Sequence, residues 1–303
     1  MKIQWYPGHM FKANKDIKAA LPKVDLVIEV LDARIPFSSQ NPVLSTLRGD
    51  KPCIKLLNKS DLADPELTQI WQDYFEKENN VKTLAVSNEH PEKLKQLTEL
   101  CYKLIPSKNT DTRTVHAMIM GIPNVGKSTI INILAGKTIA KTGNEPAITR
   151  AQQRIKLDSG IALSDTPGVL WPNIHNKNTG YRLATTGAIK DTAMDYTDVA
   201  FFAVHYIKEN YANKLKTRYS LDTLPETELE ILELIGKKRG CLRSGGQVEL
   251  NKVSTLLLNE FRAGTLGRIS LETPEMMVSE LNQLEKELAL KNKKRDTRKK
   301  SKK

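Results

Sequence analysis

Eight consecutive residues near the middle of the chain have the types and spacing that bind a phosphate group. Residues 121–128 read Gly-Ile-Pro-Asn-Val-Gly-Lys-Ser and fit the pattern G-x-x-x-x-G-K-[ST]. An apolar run at 115–120 predicts a buried strand before them, and 128–134 predict a helix after them. A strand, a glycine-bounded loop and a helix N-terminus bring several backbone N–H groups around one anion. The residues expected at the bound nucleotide are Asn124, Val125, Gly126, Lys127, Ser128 and Thr129.

A second motif, N-K-x-D at residues 58–61, follows a strand pattern and has the residue types that read guanine. Guanine offers two adjacent donors, N1–H and the 2-amino group, and the Asp61 carboxylate can accept both, whereas adenine offers no such pair. We expect Asn58 to donate to the acceptor side of the base and to tie neighbouring loops together. The Lys59 stem is expected to cover the base face. The loop after the next predicted strand should touch the base through Ser87 and Asn88.

A D-x-x-G motif at residues 165–168 is typical of the loop that senses a γ-phosphate. It ends a strand predicted at 161–164, which is the second strand of a predicted hairpin. Asp165 is expected to hold Mg²⁺ through water, and the Gly168 N–H to donate to the phosphate. The polar residues 141–150 before this hairpin predict a mobile loop.

Strands alternate with helices as far as about residue 178, which predicts an α/β fold. The expected architecture is a doubly wound, mostly parallel sheet that binds its ligand at the carboxyl ends of the strands. Residues 1–178 therefore predict a nucleotide-binding domain with an N-terminal arm, and residues 179–290 predict an all-α domain that binds RNA. The last helix, beginning at Thr273 and Pro274, has an apolar stripe expected to lie in the core: Met277, Leu281, Leu284 and Leu288.

The charge of the chain is concentrated at its end. Of the net +12, residues 291–303 contribute +8 from nine Lys or Arg and one Asp, and they predict a basic tail that is disordered when free. Such tails bind polyanions by releasing counterions, although a tail that only aids solubility has the same composition. The basic, glycine-rich segment 237–246, with Arg262 and Arg268, suits contact with an RNA backbone or is simply a set of exposed loop charges.

Composition excludes several classes of protein. No run of 18 apolar residues exists that would span a membrane, and the N-terminus lacks the apolar core of a signal peptide. The cysteines, Cys53, Cys101 and Cys241, form no C-x-x-C pair, which disfavours a disulfide framework or a cysteine-rich zinc site. A reducing cytoplasm is the simplest setting.

The order of the three motifs is unusual. In ordinary GTPases the phosphate loop comes first, then D-x-x-G, then N-K-x-D, whereas here N-K-x-D comes first and D-x-x-G last. A parallel sheet tolerates this rotation if the old termini are joined and a new opening is made elsewhere. The chain therefore resembles a circularly permuted P-loop GTPase.

Several longer stretches narrow the resemblance to the ribosome biogenesis GTPase A family, which acts in large-subunit assembly in bacteria and has a similar mitochondrial branch. The resemblance covers nearly the whole chain up to about residue 290. One departure is Ala147, because the family pattern has glycine at this position. The loop is therefore expected to be slightly stiffer in this chain. The stretches that carry the resemblance are 5–13, 32–36, 121–124, 146–150 and 165–172.

The resemblance implies roles for individual residues. Thr149 and Ser128 are expected to ligate Mg²⁺ with their hydroxyl groups, and Lys127 to bridge the β- and γ-phosphates of GTP. Asn124 is similar to the asparagine that binds K⁺ in related GTPases, where the cation supplies the charge of an arginine finger.

The residue after Gly168 is Val169, at a position where many small GTPases have a glutamine that orients water. Valine forms no such hydrogen bond, so another group must help. His9, beside a Pro-Gly turn, is the position that the resemblance assigns to this role, and a structural histidine is the alternative. The assigned catalytic set is His9, Lys127, Thr149 and Gly168.

The leading interpretation is an enzyme that hydrolyses GTP to GDP and phosphate. It is expected to bind ribosomal RNA of the large subunit and to act at a late step of large-subunit assembly. Off the ribosome it is expected to be a monomer. One alternative is a nucleotide-gated RNA-binding module with negligible turnover, which Val169 leaves open. Another is a GTPase of small-subunit assembly, although no early run of short strands suggests the additional barrel of those proteins. An ATPase is disfavoured by Asp61.

Overall fold

A six-stranded sheet carries all three nucleotide motifs at the carboxyl ends of its strands. The computed structural model describes residues 3–108, 114–140, 153–157 and 159–300, the side chains of 108, 153 and 292–300 excepted. The order across the sheet is β3-β2-β1-β4-β6-β5, and only β5 is antiparallel to its neighbour. The strands are β1 (Leu26–Asp32), β2 (Cys53–Asn58), β3 (Val81–Ala85), β4 (Val115–Gly121), β5 (Gln153–Lys156) and β6 (Ile161–Asp165).

The central strands are apolar because helices cover both faces of the sheet. Every residue of β1 and of β2 is buried, as expected for parallel strands with two covered faces. The phosphate-loop strand β4 lies between β1 and β6, so the loops that leave these strands converge on one edge. The predicted α/β class and the mostly parallel sheet are confirmed, as is the β5–β6 hairpin.

Ten α-helices are present among the described residues. The seven-residue α2 is not predicted from the sequence; Asn41 caps it by accepting a hydrogen bond from the Val43 N–H, and Pro42 opens it. The helices are α1 (Gly8–Ala20), α2 (Pro42–Arg48), α3 (Pro65–Phe75), α4 (Lys95–Leu104), α5 (Lys127–Ala135), α6 (Lys177–Thr185), α7 (Tyr196–Tyr219), α8 (Glu228–Lys238), α9 (Leu250–Arg262) and α10 (Pro274–Lys300). None of them is long and apolar enough to cross a membrane.

Helices α6 to α9 form the helical region that follows the sheet. The predicted boundary after residue 178 falls inside α6, because the Asn176 side chain caps that helix. The chain also returns to the nucleotide domain after α9, where Trp71 of α3 donates through its indole nitrogen to the Glu272 carbonyl (3.2 Å). The two regions therefore share a buried junction rather than a single linker.

The last helix differs from its prediction in two ways. Met277 is buried, but Leu281 is 37% exposed, and Leu284 and Leu288 are only half-buried, so most of the predicted stripe lies outside the core. The helix also continues to Lys300, where the sequence predicts a disordered tail. Lysine and arginine are good helix formers, and no glycine or proline interrupts the segment after Pro274.

Candidate functional site

The phosphate loop is built as its residue types predict. Gly126 has φ +96° and stands at the N-cap of α5, so the first N–H groups of that helix face the loop. The Lys127 ammonium lies inside the loop and donates to the carbonyls of Gly121 (3.2 Å) and Ile122 (2.9 Å). Ser128 and Thr129 follow in the first turn of the helix and are half-buried.

The guanine motif contacts the phosphate loop directly. The buried Asn58 side chain donates to the Val125 carbonyl (2.8 Å), and a Cβ on Gly126 would overlap its amide nitrogen. Lys59, with φ +60°, donates through its ammonium to the Asn124 carbonyl (2.8 Å). The prediction that Asn58 ties neighbouring loops together is met by this geometry.

The loop after β3 is also bound to the guanine motif. The backbone N–H and the hydroxyl of Ser60 both donate to the Val86 carbonyl, at 3.1 and 3.0 Å. Ser87 is buried, whereas Asn88 is exposed. The half-buried Asp61 therefore lies in a loop whose neighbours are fixed by hydrogen bonds on both sides.

The D-x-x-G motif lies over the phosphate loop. A Cβ on Gly168 would be 2.8 Å from Pro123 Cα and 3.1 Å from the Lys127 ammonium, so only glycine fits this approach. The next residue, Val169, donates from its backbone to the Gly121 carbonyl (3.2 Å), and its side chain is fully buried. A buried valine cannot orient water, in agreement with the expectation from its type.

Asp165 is a buried carboxylate without a complete set of partners. It is 1% exposed, and no donor among the described residues reaches its Oδ1. Burial raises the pKa of Asp165 to about 6, although Lys127 and the Thr166 N–H oppose the shift. Burial likewise lowers the pKa of Lys127 to about 8, and Asp165 opposes that shift. An unsatisfied buried oxygen beside a phosphate loop fits a carboxylate that faces a hydrated cation.

The expected Mg²⁺ ligands are only partly within the described chain. Asp165 and Ser128 lie at adjacent strand and helix ends, whereas Thr149 and Ala147 belong to residues 141–152, outside the described residues. The described residues contain no group of three or more His, Cys, Asp or Glu that could hold a metal. Mg²⁺ at a nucleotide uses few protein ligands and relies on phosphates and water.

His9 lies in the first turn of α1 and is exposed. Its ring meets Trp5 edge-on, with the centroids 6.4 Å apart. The following residue, Met10, is fully buried, and its sulfur accepts a weak hydrogen bond from the Leu170 N–H (3.5 Å). The N-terminal arm is thus packed against the end of the D-x-x-G loop, which places His9 in that neighbourhood. Its assigned catalytic role stays a prediction.

Asn124 connects the phosphate loop to the helical region. It adopts φ +56°, and its amide nitrogen donates to the Gly187 carbonyl (2.8 Å), in the turn after α6. The sequence predicts Asn124 at the bound nucleotide and as a candidate K⁺ ligand, but does not predict a contact with the helical region. No local signal identifies Gly187 as its partner, because the two residues are 63 positions apart.

A buried ion pair that sequence reasoning missed stands beside the guanine motif. The Arg34 guanidinium donates two hydrogen bonds to the Asp32 carboxylate, of 2.9 and 2.7 Å, and the Lys59 ammonium is 3.5 Å from the same carboxylate. Burial opposes ionisation of Asp32, but Arg34 and Lys59 outweigh it and lower its pKa to about 2. The Arg34 guanidinium also lies 5.1 Å from the centre of the Phe261 ring in α9.

Two arginines considered for RNA contact have internal partners instead. Arg262 donates to the carbonyls of Thr185 (3.1 Å) and Ala184 (2.8 Å) and pairs with Asp191 (3.2 Å). Arg268 donates through Nε to the Asp61 carbonyl (3.2 Å). Both side chains therefore fix loops of the chain.

Comparisons with known proteins agree with this geometry. The family model described as a 50S ribosome-binding GTPase matches residues 116–236, from β4 into α8. The ribosome biogenesis GTPase A of Bacillus cereus is 43% identical over 293 residues, which cover 94% of this chain and 99% of the relative. That of Priestia megaterium is 45% identical over 282 residues, covering 90% and 98%. The chain belongs to the ribosome biogenesis GTPase A family.

A solved structure supports the same assignment. The GNP-bound YlqF from T. maritima is similar with a TM-score of 0.62 and 28% identity, covering 87% of this chain and 99% of that one. This member of the ribosome biogenesis GTPase A family is thus a GTP hydrolase that binds guanine nucleotide, in a class that typically uses Mg²⁺. Its permuted α/β nucleotide domain precedes a helical region, and the membership in a GTPase family favours the enzyme over the alternative of a binding module without turnover.

Proposed function

We propose that this ribosome biogenesis GTPase acts in the assembly of the large subunit and binds its rRNA through the helical region and the basic end of α10. The observation that carries the proposal is the path from the nucleotide to that region. The D-x-x-G loop after β6 leads into α6 without another strand, and Asn124 donates to Gly187 beyond α6 (2.8 Å). The matched family description, a 50S ribosome-binding GTPase, supports the choice of the large subunit.

The guanine end of the site consists of the N-K-x-D loop and the loop after β3. Asp61 accepts from guanine N1–H and the 2-amino group, and Lys59 covers the base face. Asn58 supports the base edge while it donates to the phosphate loop at Val125 (2.8 Å). Ser87 and Asn88 complete the base pocket through their backbone.

The phosphate end uses the first turn of α5 and the D-x-x-G loop. The N–H groups of Val125 to Thr129 hold the phosphates, and Lys127 turns from its loop carbonyls to the β- and γ-phosphates. Gly168 donates its N–H to the γ-phosphate and senses its presence. Ser128, Thr149 and Asp165 would hold Mg²⁺, which when bound neutralises charge that develops on the phosphate oxygens.

Hydrolysis needs a group that orients water, since Val169 is buried and apolar. We assign this role to His9, whose helix is packed against Leu170 through Met10. Asn124 Oδ1 would be the protein ligand of K⁺, because cations bind oxygen and the amide nitrogen donates to Gly187. The monovalent cation would supply positive charge where other GTPases use an arginine.

The RNA-binding surface is proposed to comprise the loop after α8 and the basic end of α10. Residues 237–243 hold four Lys or Arg, and 291–300 add a further seven against one Asp. A helix keeps such charges on a rigid rod that can follow a phosphate backbone. Arg262 and Arg268 are not assigned to this surface, because they bind loops of the chain itself. Lys238 and Arg239 also have internal acceptors, the Ser220 carbonyl (3.2 Å) and Glu260 (2.8 Å), so the proposed contact of the loop after α8 rests on Lys237 and Arg243.

The nucleotide state would set the pose of the helical region. GTP orders the D-x-x-G loop and the loop that contains Thr149, and this fixes α6 and the helices after it in the RNA-binding arrangement. Hydrolysis releases both loops and favours departure from the subunit. We expect the protein to be a cytoplasmic monomer when it is not on a ribosome.

Steady-state GTP hydrolysis, measured alone and with purified large or small subunits at one salt concentration, tests the choice of partner. Large subunits should raise the rate, and small subunits should leave it unchanged. Equal stimulation by both, or stimulation by small subunits only, would favour small-subunit assembly. Hydrolysis unaffected by either subunit would contradict the proposed coupling.

A further inference from the structure

A short segment between α9 and α10 crosses the guanine-reading loop. We call this segment, residues 268–272, the clasp. Its first residue, Arg268, donates through Nε to the carbonyl of Asp61 (3.2 Å), and the N–H of Ile269 donates to the carbonyl of Leu62 (3.0 Å). The clasp thus binds the backbone of the residue that is proposed to read guanine and of the residue after it.

The clasp is fixed to the nucleotide domain on both sides of these contacts. The N–H of Leu271 donates to the carbonyl of Arg34 (2.8 Å), at the end of β1. The carboxylate of Glu272, fully buried, accepts from the N–H groups of Phe37 (2.5 Å) and Ser38 (2.9 Å). These bonds hold the segment across the loops that leave β1 and β2.

The middle of the clasp joins a three-residue network with α3 and α7. The Ser270 hydroxyl accepts from the N–H of Asp64 (3.1 Å), the residue that caps α3. The Tyr211 hydroxyl donates to the Asp64 carboxylate (3.1 Å) and accepts from the Ser270 N–H (3.4 Å). Helix α7 is non-helical at Tyr211, so the helix departs from its regular path where this contact is made.

Close packing at the turn before the clasp leaves the loop little room to move. Gly264, with φ +77°, approaches the Leu62 side chain so closely that a Cβ would collide with it. Leu62 in turn donates from its backbone to the Lys59 carbonyl (3.0 Å), which closes the turn that contains Asp61. A shift of the clasp therefore moves the backbone on which the Asp61 carboxylate stands.

We infer that the clasp is a specificity-determining part of the nucleotide site, in which Arg268 positions Asp61 to accept both donors of guanine. Two parallel hydrogen bonds to one base edge require a fixed carboxylate, and a turn on the protein surface does not fix one by itself. The contact between Arg268 and Asp61 could not be predicted from the sequence, because the two residues are 207 positions apart. The inference rests on the proposed role of Asp61 as the guanine reader.

The test compares equilibrium affinities for GDP and IDP, since inosine lacks only the 2-amino donor of guanine. Arg268→Ala should weaken GDP binding by about threefold to tenfold, the worth of one hydrogen bond, and IDP binding by clearly less. The ratio of the two affinities should therefore fall. Arg268→Lys keeps a donor for the Asp61 carbonyl and should recover part of the ratio.

Tyr211→Phe provides a second route to the same result, because it removes the hydroxyl that joins Asp64 to Ser270. Two matched controls should leave the ratio unchanged. Lys252→Ala removes one exposed positive charge from α9, and Tyr102→Phe removes a hydroxyl that donates to the Ser159 carbonyl (2.8 Å). Equal losses of GDP and IDP affinity in Arg268→Ala, or no loss of either, would overturn the inference.

Asp61→Asn separates this inference from the proposed function. An amide donates where the carboxylate accepts, so the variant should lose GDP affinity and gain affinity for XDP, whose base offers an oxygen in place of the 2-amino group. If Asp61→Asn leaves the selectivity between GDP and XDP unchanged, the assignment of the guanine site is wrong. If Asp61→Asn changes it and Arg268→Ala leaves the GDP-to-IDP ratio unchanged, only the role of the clasp is wrong.

Discussion

Two buried aspartates, at the carboxyl ends of β1 and β6, have opposite environments. Asp32, at the end of β1, is paired with Arg34 and Lys59, and these charges lower its pKa to about 2 despite its burial. Asp165, at the end of β6, has an oxygen without a donor among the described residues, and burial raises its pKa to about 6. Asp32, beside the N-K-x-D loop, is satisfied by the protein itself, whereas Asp165, beside the phosphate loop, keeps an acceptor for the proposed cation.

From this difference we expect Asp32 to contribute to stability and Asp165 to function. A buried carboxylate with all its partners holds loops together, and its removal leaves opposite charges uncompensated. A buried carboxylate with an unsatisfied oxygen lowers the stability of the free protein, and that loss is recovered when a cation binds. The two aspartates should therefore respond to substitution in opposite ways.

The largest expected effect is on stability, at Arg34. Arg34→Ala leaves the buried Asp32 carboxylate with the Lys59 ammonium, at 3.5 Å, as its remaining charged partner and with the backbone N–H of residue 34, and should lower the free energy of unfolding by about 3 to 5 kcal/mol. Urea denaturation followed by circular dichroism measures this change. Arg239→Ala, which breaks a partly exposed pair with Glu260, is the control and should cost about 0 to 1 kcal/mol. Similar losses in the free energy of unfolding of the two variants would contradict the claim that the buried pair contributes more to stability than the exposed pair.

The next effect is on catalysis, at Asp165. Asp165→Asn keeps the shape of the side chain but removes its charge, and should lower the GTP hydrolysis rate at saturating Mg²⁺ by about 100-fold, or about 2.7 kcal/mol. The melting temperature of the nucleotide-free variant should not fall, since an amide is easier to bury than a carboxylate. A variant that is less stable and equally active would reverse the assigned roles of Asp32 and Asp165.

The pH dependence of stability gives a third, smaller effect. The pKa of Asp165 is about 6 in the folded protein, against an ordinary value of 3.8. Between these values the folded state binds more protons than the unfolded one, so stability falls as the pH rises through that window. Wild type relative to Asp165→Asn should lose about 2 kcal/mol between pH 4 and pH 6.5, measured by urea denaturation without nucleotide. A difference between the two proteins that does not vary with pH would mean that folding does not raise the pKa of Asp165.

The smallest effect concerns Asn124, which joins two functions in one side chain. Asn124→Ala should abolish a difference of about tenfold between hydrolysis rates in K⁺ and in Na⁺ buffers. Asn124→Asp keeps an oxygen for the cation but loses the amide donor to Gly187, so it should retain K⁺ activation while subunit-dependent stimulation falls. Loss of K⁺ activation in both variants would assign the effect to the contact with Gly187 rather than to cation binding.

Much of the nucleotide site could be predicted from the sequence because its geometry is local. A glycine-bounded loop between a strand and a helix fixes the positions of Lys127 and Ser128, and the motifs at Asp61 and Asp165 each end a strand of one parallel sheet. Since such strand ends meet at one edge, the contacts of Asn58 with Val125 and of Gly168 with Pro123 follow from the topology.

The contacts that join the two regions could not be predicted, because their partners are far apart along the chain. Nothing near Asp61 identifies Arg268, and nothing near Asn124 identifies Gly187. The prediction that the apolar stripe of α10 lies in the core was wrong for a related reason. Helical spacing indicates an apolar face, but only tertiary packing decides whether a residue such as Leu281 is covered.

The measurement that tests the proposed switch most directly is co-sedimentation of the wild-type protein with large ribosomal subunits at fixed Mg²⁺ and salt. The fraction bound should be several-fold higher with a non-hydrolysable GTP analogue than with GDP, because only the γ-phosphate orders the D-x-x-G loop that leads into α6. Equal binding in the two nucleotide states would contradict the coupling between the nucleotide site and the helical region.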